Sequence, residues 1–166
     1  VKISEPTIVE RAAQPYVAIT ASVPMTRMAA TLPPLNGEVF GWLEARDIAP
    51  AGAPLWKYNV IDMDGDLEIE VGVPVAEKVA GDDRVRSGVL PAGRYATLRH
   101  VGHPDELVDA TGALLRWADG EGLRWDVADS RGGERWAARL EFYLTDPADE
   151  PDLNKWETDL VFKLAD

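Results

Sequence analysis

Apolar and polar positions change period several times along the chain, and the changes occur twice in the same order. Tyr16-Val17-Ala18-Ile19 closes an alternating stretch from Val9 to Thr20, which predicts two β runs joined near Gln14-Pro15. A loop carrying Pro24 and Pro33-Pro34 follows. Gly37-Glu38 then opens a predicted helix bearing Val39, Phe40, Trp42 and Leu43, which stops before Pro50-Ala51-Gly52. Leu55–Ile61 and Leu67–Val75 read as strands joined at Met63-Asp64-Gly65-Asp66, where Asp-Gly supplies a turn at little cost.

The second pass starts with a run from Arg84 to Leu90. It turns at Pro91-Ala92-Gly93 and continues as a strand through Tyr95-Ala96-Thr97-Leu98 to Val101. Pro104-Asp105-Glu106 puts proline and two acids in the first turn of a helix, where the positive end of the dipole favours them. Leu107, Ala110, Leu114 and Trp117 recur at spacings of three and four and predict its buried stripe. A Gly- and Asp-rich connection reaches Gly133, and strands follow near Trp136–Thr145 and Glu157–Leu164. Each half is therefore strand, strand, helix, strand, strand. The expectation is an antiparallel α+β architecture of two units, about 5–80 and 84–166, related by a pseudo-twofold rotation. Helices should lie on one face, with a groove between the units.

Alternation in Arg139–Thr145 separates two faces. Leu140, Phe142 and Leu144 share one, which is expected to pack on the helices. Arg139, Glu141 and Tyr143 share the other. Aligning the halves sets Trp56 against Glu141 and Tyr58 against Tyr143. One carboxylate among aromatic walls suits a bulky apolar cation, through charge neutralisation and attraction to ring faces. The competing reading is a solvated Glu141 paired with Arg139 on an open strand face. In a cavity, loss of water would raise the Glu141 pKa.

Composition narrows the partners. At 166 residues and 46% hydrophobic, the chain suits one folded domain. It has no cysteine, so disulfides, thiolate metal sites and cysteine nucleophiles are excluded. A net charge of −12 without a basic cluster argues against direct nucleic-acid binding. No run nears the ~18 apolar residues that cross a membrane, and Val1-Lys2-Ile3-Ser4-Glu5-Pro6 lacks the apolar segment of a signal peptide. A cytoplasmic address is expected.

Several apparent motifs fail on spacing. Asp62-Met63-Asp64-Gly65-Asp66 lacks the glycine and glutamate positions of a calcium loop. His100 and His103 lack further ligands at metal-binding spacing, so structural or exposed roles are expected and no metal or cofactor. The serines have no nucleophile-elbow context. Trp42 and Trp117 sit at helix-core positions.

The run Leu140-Glu141-Phe142-Tyr143-Leu144-Thr145-Asp146-Pro147, the acidic loop at Glu150-Pro151-Asp152 and the ending from Trp156-Glu157-Thr158 resemble the GyrI-like small-molecule-binding family. So do Phe40-Gly41-Trp42-Leu43, Glu68-Ile69-Glu70-Val71-Gly72-Val73-Pro74-Val75 and Leu90-Pro91-Ala92-Gly93-Arg94-Tyr95-Ala96. The resemblance spans nearly the whole chain in order. It implies two fused βαββ (SHS2) modules around a central ligand pocket. Relatives are effector-binding domains of AraC- and MerR-type regulators, stand-alone proteins including a gyrase inhibitor, and hydrolases of cyclopropane-containing genotoxins. The family's pocket acid falls on Glu141, with Tyr143 beside it. Trp56, Tyr58, Trp136 and Phe40 follow as aromatic lining. With no helix-turn-helix segment in view, a stand-alone form is expected, and the extended connection at Arg131-Gly132-Gly133 is expected to reshape one pocket rim.

Three functions stay open on the sequence. The first is a protein that binds amphipathic, often cationic, small molecules through Glu141. The second is a hydrolase using the same acid, with Tyr143, on an electrophilic xenobiotic. The third is an acidic module that docks a protein partner such as a topoisomerase.

Overall fold

In the computed structural model, which describes residues 1–130 and 133–166, the polypeptide forms one large curled antiparallel sheet with few helices. Arg131 and Gly132 of the expected rim connection lie outside the described residues. The first half contributes β1 (Lys2–Ile3), β2 (Thr7–Arg11), β3 (Gln14–Pro24), β4 (Leu55–Ile61) and β5 (Asp66–Pro74). The second contributes β6 (Arg86–Leu90), β7 (Gly93–Val101), β8 (Val127–Ser130), β9 (Gly133–Trp136), β10 (Arg139–Tyr143) and β11 (Glu157–Lys163). A short turn of helix, α1 (Met28–Thr31), precedes α2 (Pro33–Ala45), and α3 (Leu107–Gly120) is the helix of the second half. No described helix is long and apolar enough to cross a membrane.

The strand order is β2-β7-β11-β10-β4-β5-β3-β6, with β1 extending the β2 side of β7. Exchanging β2 with β6, β3 with β7, β4 with β10 and β5 with β11 reverses this order and leaves it unchanged. The leading strands cross over: β2 of the first half pairs with β7, and β6 of the second pairs with β3. Each half thus closes the sheet edge of the other, a nonlocal exchange that binds both halves into one sheet.

Directly paired residues share a sheet face. One row runs Ile19, Val71, Trp56, Glu141, Leu160, Leu98 across six strands. Ile19 packs with Val39 and Leu43 of α2, and Leu160 and Leu98 pack with Ala110 and Leu114 of α3. Both helices therefore cover the face that carries Glu141. The expectation that Leu140, Phe142 and Leu144 face the helices is corrected. Leu140 and Phe142 are buried on the opposite face with Leu55, Tyr16, Tyr95 and Val161, while Leu144 is exposed. Curling of the sheet buries both faces of β10, so apolar character did not identify the helix side.

Two boundaries also differ. α2 begins at Pro33, four residues before the predicted Gly37, because both prolines occupy the first turn, where a missing N–H costs nothing. The Gly- and Asp-rich connection contains the β8–β9 pair, and β9 continues along β4 beyond β10. The α3 stripe is as expected, with Ala110 and Leu114 fully buried and Leu107 and Trp117 packed against the same cluster.

Candidate functional site

A cavity of about 630 Å³ is lined by residues of α2, the start of α3 and the strands β4, β10 and β11. Its walls come from α2 (Asn36, Gly37, Phe40), the start of α3 (Leu107) and the strand ends at Trp56, Tyr143 and Thr158. Leu144, Thr145, Asp146, Pro147, Trp156 and Glu157 also line it, with Ala29, Pro33, Ala53, Pro54 and Pro104 at its margins. The lining is mostly aromatic and aliphatic. It carries the carboxylates of Asp146 and Glu157, and no Lys or Arg among the described lining residues. Glu157 has a loose 3.9 Å contact with Arg99.

Each wall has a local cause. Asn36 and Phe40 lie four apart on α2 and therefore project from one helix face. Trp56 donates its indole N–H to Asn36 Oδ1 at 2.9 Å, tying the sheet to α2, and meets Tyr143 edge-on at 5.1 Å between ring centroids. Asn36 Nδ2 remains buried without a partner at the cavity wall. Gly37 has open space where a Cβ would stand. Trp156 anchors the acidic loop by donating to the Glu150 carbonyl at 2.8 Å.

Of the residues expected from the sequence, Phe40, Trp56 and Tyr143 line this cavity. Glu141 and Tyr58 do not. Glu141 is 7% exposed and lies behind Tyr143, whose hydroxyl donates to Glu141 Oε1 at 2.5 Å. Tyr58 donates to the same oxygen at 3.0 Å. Burial pushes the Glu141 carboxyl above its ordinary pKa, and the two hydroxyls and Arg139 pull it partly back. Charge-assisted hydrogen bonds contribute about 1.5–3 kcal/mol each. Burying a carboxylate costs several kcal/mol, so these contacts offset much of the penalty. Burial and the Glu141 charge hold both tyrosines well above the usual phenol value, so both remain donors.

Trp136 stands apart from the cavity. It is 5% exposed and packs at 5.7 Å from Trp125 and 5.9 Å from Phe162, beside a smaller polar hollow that includes Lys57, Asn59 and Arg135. The competing reading, a solvated Glu141 paired with Arg139, is not what the structure shows: Glu141 is buried, and no Arg139–Glu141 salt bridge forms among the described residues. The Arg139 guanidinium instead lies over Phe162 at 4.7 Å and Trp136 at 4.9 Å.

The sequence of residues 4–165 matches the GyrI-like small molecule binding domain over nearly its whole length. The chain belongs to the GyrI-like family. Solved structures agree with this GyrI-like fold. The C-terminal domain of EcmrR shares 16% identity at a TM-score of 0.74, covering 97% of both chains. The match to EcmrR in its DNA complex, at 17% identity and a TM-score of 0.74, covers 96% of this chain and 57% of that one, so this chain spans little more than half the length of that protein. SAV2435 bound to tetraphenylphosphonium gives 11% identity and a TM-score of 0.63 over 98% of this chain and 94% of that one. A hydrolase from Listeria innocua gives 15% and 0.59 over 97% and 92%. No curated protein matches the sequence.

Sequence reasoning missed Asn36, Leu107, Trp156 and Thr158. Asn36 was one residue outside the predicted helix, and a start at Pro33 would have put it on the Phe40 face. Thr158 is legible only through its pairing with Tyr143, a long-range contact.

Proposed function

We propose that this GyrI-like domain, acting as one unit built from the repeats of about 5–80 and 84–166, binds aromatic, amphipathic small molecules in the cavity between its helices, with a cationic group directed at Tyr143. The observation that carries this reading is a buried carboxylate immediately behind an aromatic, base-free wall. Tyr143 and Trp56 stack on the ligand, Glu141 supplies negative charge through Tyr143, and Asp146 and Glu157 draw cations toward the cavity. Asn36 offers its unpartnered amide to a ligand acceptor. Tetraphenylphosphonium, the ligand of the similar SAV2435 structure, is the natural first probe.

Binding is read by quenching of Trp56 and Trp156 fluorescence. One saturable site per chain is expected for tetraphenylphosphonium, with the signal lost in Trp56→Phe and Trp156→Phe together. Saturable binding of lipophilic cations that ignores both substitutions would place the site elsewhere. No saturable binding by any aromatic cation would remove the reading.

A further inference from the structure

Arg139 lies outside the cavity lining, yet it is a cation on the same sheet face as Glu141, two residues away on β10. It pairs across the sheet with Phe162, and its guanidinium lies 4.7 Å from the Phe162 ring centroid, 4.9 Å from Trp136 and 6.0 Å from Tyr58. Ring faces attract a cation but carry no net charge, so these contacts hold the guanidinium in place without cancelling it. No carboxylate forms an ion pair with it among the described residues. Tyr58 spans the interval, with its ring toward Arg139 and its hydroxyl on Glu141. The order along the cleft is thus Arg139, Tyr58, Glu141, Tyr143, cavity.

We propose that Arg139 is the resident counter-cation of Glu141 and sets how strongly the cavity prefers a cationic ligand over a neutral one of the same shape. This rests on the cavity reading above. Arg139 approaches the carboxylate from behind, so it balances the charge without occupying the ligand's position. The empty site then holds an ionised Glu141 that tolerates neutral ligands, and an entering cation shares the carboxylate with Arg139 rather than owning it.

The charged and titratable groups around Glu141 are few. Arg139 and Tyr143 face it from β10 and Tyr58 from β4. Leu160 on β11, Asn36 on α2 and Leu107 on α3 are uncharged. Asp146 and Glu157 stand at the cavity wall, and Glu134 on β9 acts on Arg139. The Tyr143 and Tyr58 hydrogen bonds do most to hold the Glu141 carboxyl down against the effect of burial, and Arg139 is the cation among the described residues that adds to them.

The test uses a biphenyl carrying a trimethylammonium group and its tert-butyl carbon isostere, titrated into wild type, Arg139→Met and Arg139→Lys between pH 5 and 9. In Arg139→Met, the pH at which cation affinity falls by half should rise, since losing a nearby opposite charge disfavours the ionised carboxyl. Above that pH the ratio of cation to neutral affinity should exceed the wild-type ratio by about tenfold. Arg139→Lys should restore the wild-type profile. An unchanged ratio and profile in Arg139→Met, with both ligands still bound, overturns the inference and leaves the cavity reading intact. If neither ligand binds the wild type, the cavity reading fails and the inference falls with it. A second measurement needs no variant: calorimetry in buffers of different ionisation enthalpy should show no proton release when the cation binds wild type at pH 7. Release of about one proton would mean Glu141 is protonated beforehand, and that also overturns the proposal.

Discussion

Trp56 and Glu141 stand directly opposite each other on the two central strands, where one half of the sheet meets the other. Their shared row is otherwise aliphatic: Ile19 and Val71 on one side, Leu160 and Leu98 on the other. Matching places in the strand order thus hold different groups, an indole on β4 and a carboxylate on β10. A single acid in an apolar row is costly for the fold, and the Tyr58 and Tyr143 hydrogen bonds offset part of that cost.

That cost has a pH signature. The folded Glu141 carboxyl titrates above its unfolded value, so the folded state binds more protons between the two and stability falls as pH rises through that window. Glu141→Gln should remove this contribution. Urea denaturation should show the variant more stable than wild type at pH 8, with the difference shrinking toward pH 4. Equal stability differences at both pH values would show that the carboxylate is not strained by burial.

Gly37 offers a way to block the cavity without harming the helix. A Cβ there meets open space, and Gly in a helix interior costs about 1 kcal/mol relative to Ala. Gly37→Leu should keep or raise the melting temperature while weakening aromatic ligands about tenfold or more. Retained affinity would mean that ligands bind away from the α2 wall.

Tyr58 tests the hydrogen bonds behind Tyr143. In Tyr58→Phe the carboxylate loses one of its two phenol donors, and donors to the charged form lower a carboxyl pKa. Carbon-13 NMR titration of glutamate carboxyls should place Glu141 higher in the variant than in wild type. A downward move would contradict the assigned direction.

Much of this arrangement was legible in local pattern. The alternation of Arg139–Tyr143 isolates Glu141 and Tyr143 on one face, and the Leu107, Ala110, Leu114 spacing defines the α3 stripe. Alignment of the halves set Trp56 against Glu141, and these residues pair in the sheet. What failed depends on long-range contact. Period alone does not say which face of β10 meets the helices when sheet curling buries both. The crossing of β2 and β6 into opposite halves has no local signal, and Trp136 fell outside the cavity because β9 turns it toward Trp125 and Phe162.

The central claim is that the Glu141 charge, acting through Tyr143, is felt by a ligand in the cavity. Isothermal titration of Glu141→Gln with the trimethylammonium biphenyl and its tert-butyl isostere tests this most directly. Neutralising Glu141 also leaves Arg139 unbalanced, so the cation should lose about tenfold or more in affinity, near 1.4 kcal/mol. The neutral isostere should change by less than about threefold. Equal losses for the two ligands, with the fold intact, would contradict the account.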